Sequence, residues 1–180
     1  IAQRDFGIPD VLINNAGIIY SAPIVSFSID GEISSHDFKK WNEVINSSLS
    51  STFYLTTLAA KSWVQKTQNG LIINFSSIAS YGNPGQSAYS AAKWGINGLT
   101  ISTAKELGQY GIRCVALAPG FINTKSTELA LSEDRLRKIK RAIPLKRLGD
   151  VSEIALAIDF AMENEYLTGV VLDINGGMSI

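Results

Sequence analysis

Four runs in this chain are apolar almost without interruption: DVLIN (10–14), LIINFSS (71–77), IRCVALA (112–118) and GVVLDI (169–174). Short continuous apolar runs bounded by turn residues read as buried strands. A strand that shows no polar face has both faces covered, which is the condition of a parallel sheet between helices. The intervening stretches have helical spacing. Phe38, Trp41, Ile45, Leu49 and Phe53 recur at threes and fours within residues 35–67. That stripe predicts one helix packed by this face, opened by Ser35 as N-cap and ended by Gly70. Trp63 fits the core face of the same helix. Further helices are expected over about 86–109, 125–143 and 151–163. No internal repeat or linker-like stretch divides the 180 residues. The expected fold is therefore α/β: a single domain, 1–180, with a parallel sheet and helices on both faces.

Composition removes several classes of function. Sixteen basic and sixteen acidic residues cancel, so the footprint of a nucleic-acid binder is missing. No apolar stretch approaches about 18 residues, so no membrane span is expected, and the start shows no signal-peptide pattern. Cys114 is the single cysteine and His36 the single histidine. That leaves no internal disulfide and no metal-ligand cluster, and it fits a reducing, cytoplasmic compartment. Cys114, inside IRCVALA, reads as a small core residue. His36, in SSHDF, reads as a solvated residue at a helix start.

Ligands of open α/β sheets sit at the carboxyl ends of the strands. Those ends carry NNAG (14–17), the serine pair Ser76 and Ser77, and APG (118–120). Glycine at such a place lets backbone come close to a flat ligand. Downstream, QSAYSAAKWG (86–95) sets Tyr89 four residues before Lys93 among small residues. On a helix that spacing puts the phenol and the ammonium on one face, within mutual reach.

These motifs, with IINFSS (72–77), YSAAK (89–93), GIRCVALAPGFINT (111–124) and LTGVVLDINGG (167–177), stand in the order and at the separations of the short-chain dehydrogenase/reductase family. The chain resembles that family from about Phe6 to its end. The resemblance implies a Rossmann-like, doubly wound sheet and an NAD- or NADP-dependent oxidoreductase that interconverts a carbonyl and a secondary alcohol by hydride transfer. It implies Tyr89 as general acid/base and Lys93 as the cation that favours the phenolate and binds the nicotinamide ribose. A cation within a few ångströms lowers a phenol's pKa from about 10. It implies a serine on the carbonyl oxygen: strand register points to Ser77, and counting back from Tyr89 by the family's usual thirteen residues gives Ser76 instead. Asn14, Ala16 and Gly17 would border the cofactor, and Pro119, Gly120, Ile122 and Thr124 would flank the nicotinamide and its phosphates. The texture of GNPGQSAYSAAKWG is nearest to 3-oxoacyl-acyl-carrier-protein reductases and 3-hydroxyacyl-CoA dehydrogenases. Thioesters of those kinds are the first expected substrates, with sugars, polyols or steroids as the alternative. A homodimer or homotetramer is implied, with Trp94 beside Lys93 at a subunit contact.

Two features depart from the family pattern. In WNEVINSSL (41–49), Ser48 stands where the family has a catalytic asparagine that holds a relay water, and Asn46 lies half a turn away. The glycine-rich phosphate loop of the first βαβ unit is also absent, so roughly 60 to 75 residues are expected upstream of Ile1, at about 30 per unit. These departures keep a second class open, a catalytically degenerate member acting as a binding scaffold. The cluster Arg135, Arg137, Lys138, Lys140, Arg141, Lys146 and Arg147 falls at the family's mobile lid and reads as a solvated helix face, with attraction of an acidic carrier or a CoA phosphate as the alternative.

Overall fold

The computed structural model of the chain describes residues 7–179, with the side chains of 126, 128 and 130 outside the description; Ile1 and Phe6 also lie outside the described residues. Four parallel strands form the main sheet in the order β1 (Val11–Asn14), β4 (Gly70–Phe75), β5 (Ile112–Pro119), β6 (Val171–Ile174). Alternation along the strands sorts the core into two layers. On one face Ile72, Ile112 and Cys114 pack with Ala60 and Trp63 of α2 (Ser51–Lys66) and Ala104 of α3 (Ser87–Leu107). On the other, Leu71, Ile73, Val115 and Leu117 pack with Ala161 of α6 (Val151–Glu163). Both sides of the sheet are covered, as the uninterrupted apolar runs require.

The expected helix over 35–67 is three pieces. Ser35 does not cap it, because Ser35 pairs with Val25 in a hairpin of β2 (Val25–Phe27) and β3 (Ile33–Ser35). Asp37 is the cap instead: its Oδ1 accepts the backbone N–H groups of Lys39 at 2.7 Å and Lys40 at 3.2 Å, opening α1 (Phe38–Ile45). A π turn, Asn46–Ser50, follows and runs into α2. The buried stripe is consequently Val44, Ser48, Thr52, Thr56, Ala60 and Trp63, while Phe38 and Phe53 face out. A spacing of four drifts by about 40° per step on an α-helix. The wider π turn takes up part of that drift, and Trp41, Ile45 and Leu49 stay packed against Val44, Ala88 and Ala92, so only the two ends of the stripe leave the core.

Gly70 does not end the helix. Thr67 does, in left-handed conformation at φ 51°. Gly70 opens β4 against the indole of Trp63, where a Cβ would stand 2.5 Å from the ring. Residues 125–143 form two helices, α4 (Lys125–Ala130) and α5 (Glu133–Ala142). Ser132 starts the second by accepting the Arg135 N–H at 3.4 Å. His36 is not solvated but buried, edge-on to Tyr20 at 5.4 Å with its Nδ1 3.4 Å from the Pro23 carbonyl.

A polar line crosses the sheet interior. Asn14 Nδ2 donates to Asn74 Oδ1 at 2.9 Å and to Thr56 Oγ1 at 3.3 Å, and Asn74 Nδ2 donates to Thr100 Oγ1 at 2.9 Å. Asn14 and Asn74 are direct partners in the β1–β4 ladder.

Candidate active site

The carboxyl end of β4 organises the site. Ser76 and Ser77 follow Phe75, and extended backbone turns successive side chains to opposite sides. Ser76 is buried and donates to the backbone carbonyl of Lys93 at 3.2 Å. Ser77 faces the other way and hydrogen-bonds the Tyr89 side chain. Its Oγ also accepts the Ala79 N–H at 3.1 Å, as the cap of a short 3-10 turn, Ile78–Tyr81. With an acceptor lone pair of Ser77 filled by an amide, its O–H is left to point away from the turn.

Tyr89 and Lys93 project from the first two turns of α3, with the Lys93 Nζ 5.6 Å from the centre of the Tyr89 ring. Ala88 and Ala92, fully buried on the same helix, pack with Val44, and Tyr20, Leu49 and Tyr89 close over that cluster. Lys93 is 4% exposed and its ammonium donates to the Phe75 carbonyl at 2.5 Å. Burial lowers its pKa from 10.5 to about 8. The Tyr89 phenol moves the opposite way from the expectation: burial raises its pKa, and the Ser77 hydrogen bond offsets part of the rise. The physical reason is placement. The ammonium is turned to a carbonyl and lies over the ring, so desolvation outweighs any attraction to a phenolate.

Ser48 sits in the π turn, 1% exposed, at the foot of the loop after β1. It accepts the Ile18 N–H at 3.3 Å and its hydroxyl lies 3.4 Å from the Ile18 carbonyl. A Cβ on Gly17 would stand 3.0 Å from Ser48 Oγ, a tight contact that glycine relieves where this loop meets the π turn. Asn46 is exposed and accepts from Ser50 at 3.4 Å. Asn14 faces the interior polar line, whereas Ala16 and Gly17 are exposed at the strand end.

Pro119 ends β5, and Gly120, Ile122 and Thr124 follow in the turn after it. Gly120 comes so close to the last strand's exit that a Cβ would stand 2.8 Å from Asn175 Cα. Thr124 caps α4 by accepting the Thr127 N–H at 3.2 Å. Ile122 forms a parallel bridge with Gly149. A cavity of about 420 Å³ lies beneath this turn, lined by Phe121, Ile122, Pro144, Leu145, Asp173 and Asn175 among others.

Sequence reasoning missed the hairpin. Its root is tied to the loop before Tyr89 by Ala22 N–H on the Gly85 carbonyl at 2.7 Å and by Gln86 Nε2 on Ser21 Oγ at 3.2 Å. The two three-residue strands, VSF and ISS, carry little signal of their own, but the DG pair at residues 30–31, flanked by SFSI and EISS, was a hairpin cue. Trp94 is exposed and packs edge-on to Tyr81 at 5.7 Å, and the Tyr81 hydroxyl reaches Asp173 at 3.4 Å. The basic cluster is partly neutralised in place, by Asp134 on Arg137 and Glu153 on Arg147.

A family model described as enoyl-(acyl carrier protein) reductase matches residues 1–179. The chain is 39% identical over 177 residues to a 3-oxoacyl-(acyl-carrier-protein) reductase of Buchnera aphidicola, covering 97% of this chain and 68% of that protein. Among solved structures it is similar to a candidate gluconate dehydrogenase of Agrobacterium tumefaciens, with a TM-score of 0.86 and 30% identity over 98% of this chain and 68% of the other. It is also similar to a candidate 2-deoxy-D-gluconate 3-dehydrogenase of the same organism, solved with bound NADP, with a TM-score of 0.82 and 36% identity over 93% of this chain and 66% of the other.

Proposed function

The chain belongs to the short-chain dehydrogenase/reductase family of NAD(P)-dependent oxidoreductases, and from that premise we propose that it reduces a ketone of a 3-oxoacyl thioester, or oxidises the matching alcohol, with Tyr89 as the proton-transfer group. The observation that carries this reading is the convergence of Ser77, Tyr89 and Lys93 at one strand end. A scaffold protein has no use for that set, which weighs against the degenerate reading.

The residues present fit the nicotinamide-ribose end of a nicotinamide dinucleotide. Lys93 keeps a buried ammonium whose acceptor is a single carbonyl, leaving donors for a pair of ribose hydroxyls. Ala16 and Gly17 offer exposed backbone with almost no side chain to obstruct a ring. The nicotinamide, when bound, supplies or takes the hydride. Ser77 directs its hydroxyl at the substrate oxygen, held by the Ala79 amide. Tyr89, protonated at neutral pH, gives its proton to that oxygen in the reducing direction. Lys93 lowers the electrostatic penalty on the phenolate that remains. The Ser48 hydroxyl holds the Ile18 backbone, and its proposed part in catalysis is to fix that loop, with any relay water shared.

The similarity to the two sugar-acid dehydrogenase structures favours a second substrate class, a polyhydroxylated acid or polyol. The proposal extends to a cytoplasmic homodimer or homotetramer in which residues 1–180 form the C-terminal portion of one domain. Steady-state assays of the full-length protein on 3-oxoacyl thioesters, sugar acids, polyols and steroid ketones with both cofactors test it. Turnover confined to sugar acids or polyols would select the second class, and turnover of no carbonyl or alcohol would leave the scaffold.

A further inference from the structure

Arg147 and Glu153 lie outside the Ser77, Tyr89 and Lys93 set, yet they make a bidentate pair: Arg147 Nη1 to Glu153 Oε2 at 2.8 Å and Nη2 to Oε1 at 2.6 Å. The fork geometry makes this stronger and more directional than an ordinary surface pair. Each partner also grips backbone. Glu153 Oε2 accepts the Asp150 N–H at 2.8 Å, closing a capping box at the start of α6. Arg147 Nη1 donates to the Leu148 carbonyl at 3.0 Å. Gly149, the one residue between Leu148 and Asp150, is therefore held from both sides.

Gly149 stands in that held stretch, and it is stitched to the turn after β5. Its N–H donates to the Phe121 carbonyl at 3.0 Å, and its carbonyl accepts the Asn123 N–H at 2.7 Å. The approach is close enough that a Cβ on Gly149 would stand 2.8 Å from Ile122 Cδ1. Two backbone hydrogen bonds thus fix the path of residues 121–123, between Gly120 and Thr124. The turn and the pair also share a hollow: the 420 Å³ cavity is lined by Phe121 and Ile122 on the turn and by Arg147, Gly149 and Glu153.

We propose that Arg147 and Glu153 are positioning residues for the cofactor: their ion pair sets Gly149, and Gly149 sets the turn 119–124 in the shape that receives the nicotinamide. The inference rests on the oxidoreductase reading for its ligand, but the mechanical coupling does not depend on it. The pair is exposed, so salt weakens it. The Glu153 carboxyl is depressed to about 2, first by its Arg147 hydrogen bond, so the pair stays charged through the whole range in which such an enzyme is assayed.

The test uses full-length protein carrying Glu153→Gln, Arg147→Leu or Arg147→Lys. Glu153→Gln keeps an oxygen for the Asp150 amide and loses the charge, which separates the pair from the cap. Hydrogen exchange read by mass spectrometry should show faster exchange in peptides spanning 121–123 and 149 in Glu153→Gln and Arg147→Leu, with the β4 and β5 amides unchanged. The cofactor KM should rise by about fivefold, the upper end for an exposed pair, while kcat and the carbonyl KM stay within about twofold; Arg147→Lys should recover part of the loss. Unchanged exchange at 121–123 in both charge-removing variants overturns the proposal. So does a uniform fall in thermal stability with both KM values moving together, which marks a purely structural pair. If the wild-type protein turns over no substrate with either nucleotide, the functional reading fails, and the exchange measurement still decides the coupling.

Discussion

Ser76 and Ser77, neighbours at the end of β4, are committed to different tasks: Ser76 holds the Lys93 backbone carbonyl at 3.2 Å, and Ser77 hydrogen-bonds the Tyr89 side chain. Replacing each by alanine should separate them. Ser77→Ala should lower kcat by about 30- to 1000-fold, the scale for losing one donor to a developing oxyanion. Ser76→Ala should leave kcat within severalfold and lower the melting temperature, because removing one buried hydrogen bond costs about 1 kcal/mol. Parallel kinetics and thermal melts check both; a larger kcat loss in Ser76→Ala would reverse the roles.

Tyr89→Phe removes one hydroxyl and keeps the ring that packs on Ala88 and Ala92. The far-UV circular dichroism and melting temperature should therefore change little. Turnover should fall by about 10² to 10⁴, the contribution of a general acid/base. A mutant retaining a tenth of wild-type kcat would show that the proton comes from elsewhere.

Lys93 is depressed to about 8 by burial, so its charge is present at neutral pH and is lost as pH rises through 8. Two opposite consequences follow. The kcat/KM for cofactor, which reports the free enzyme, should decline above pH 8 as the ribose-binding cation is neutralised. Folding stability should rise between about 8 and 10.5, because in that window the unfolded chain binds the proton more tightly than the folded one. Lys93→Met should abolish the kinetic limb and flatten the stability slope. A pH-rate profile with no break between 7.5 and 9, measured alongside urea titrations at the same pH values, would contradict the assignment, whose reference is the depressed value of about 8.

Gly120 and Gly98 make a matched pair of tests. A Cβ at Gly120 would press on Asn175 Cα at 2.8 Å, and backbone has little room to give. Gly120→Ala should cost about 1 to 3 kcal/mol through overpacking and shift the turn beside the cofactor site. Gly98, exposed in α3, has nothing within 4 Å of a Cβ. Gly98→Ala should instead stabilise by roughly 0.5 to 1 kcal/mol, from helix propensity. Equal effects of the two substitutions on melting temperature would mean that the Asn175 contact relaxes freely.

The sheet was legible because its strands are apolar on both faces, a pattern that depends on the local sequence alone. Ser77, Tyr89 and Lys93 were legible because they lie at strand ends and on one helical face, again a local property. What escaped was decided by tertiary partners. Phe38 and Phe53 have the right spacing for a core stripe, but they stand at its two ends and face out while Trp41, Ile45 and Leu49 between them pack, and the π turn at 46–50 is invisible to a 3.6-residue period. Gly70 reads as a helix stop, yet its cause is the indole of Trp63. His36 reads as polar and solvated, yet Tyr20 and Pro23 enclose it. The direction of the Tyr89 shift depended on where the Lys93 ammonium points, which spacing alone leaves open.

The amide pair of Asn14 and Asn74 acts as an alignment key for the sheet. β1 and β4 are far apart in sequence, and beside their asparagines β1 holds only Val, Leu and Ile and β4 only Gly, Leu, Ile and Phe, apolar residues that would tolerate sliding. A slip of one residue would set Asn14 beside Ile73 or Phe75 and strand both carboxamides in an apolar layer, at about 1 to 3 kcal/mol for each unpaired group. It would also turn one strand's side chains to the wrong face. Misaligned pairings formed early in folding are thus penalised twice, and the strand end that carries Ala16 and Gly17 arrives level with the one that carries Ser76 and Ser77.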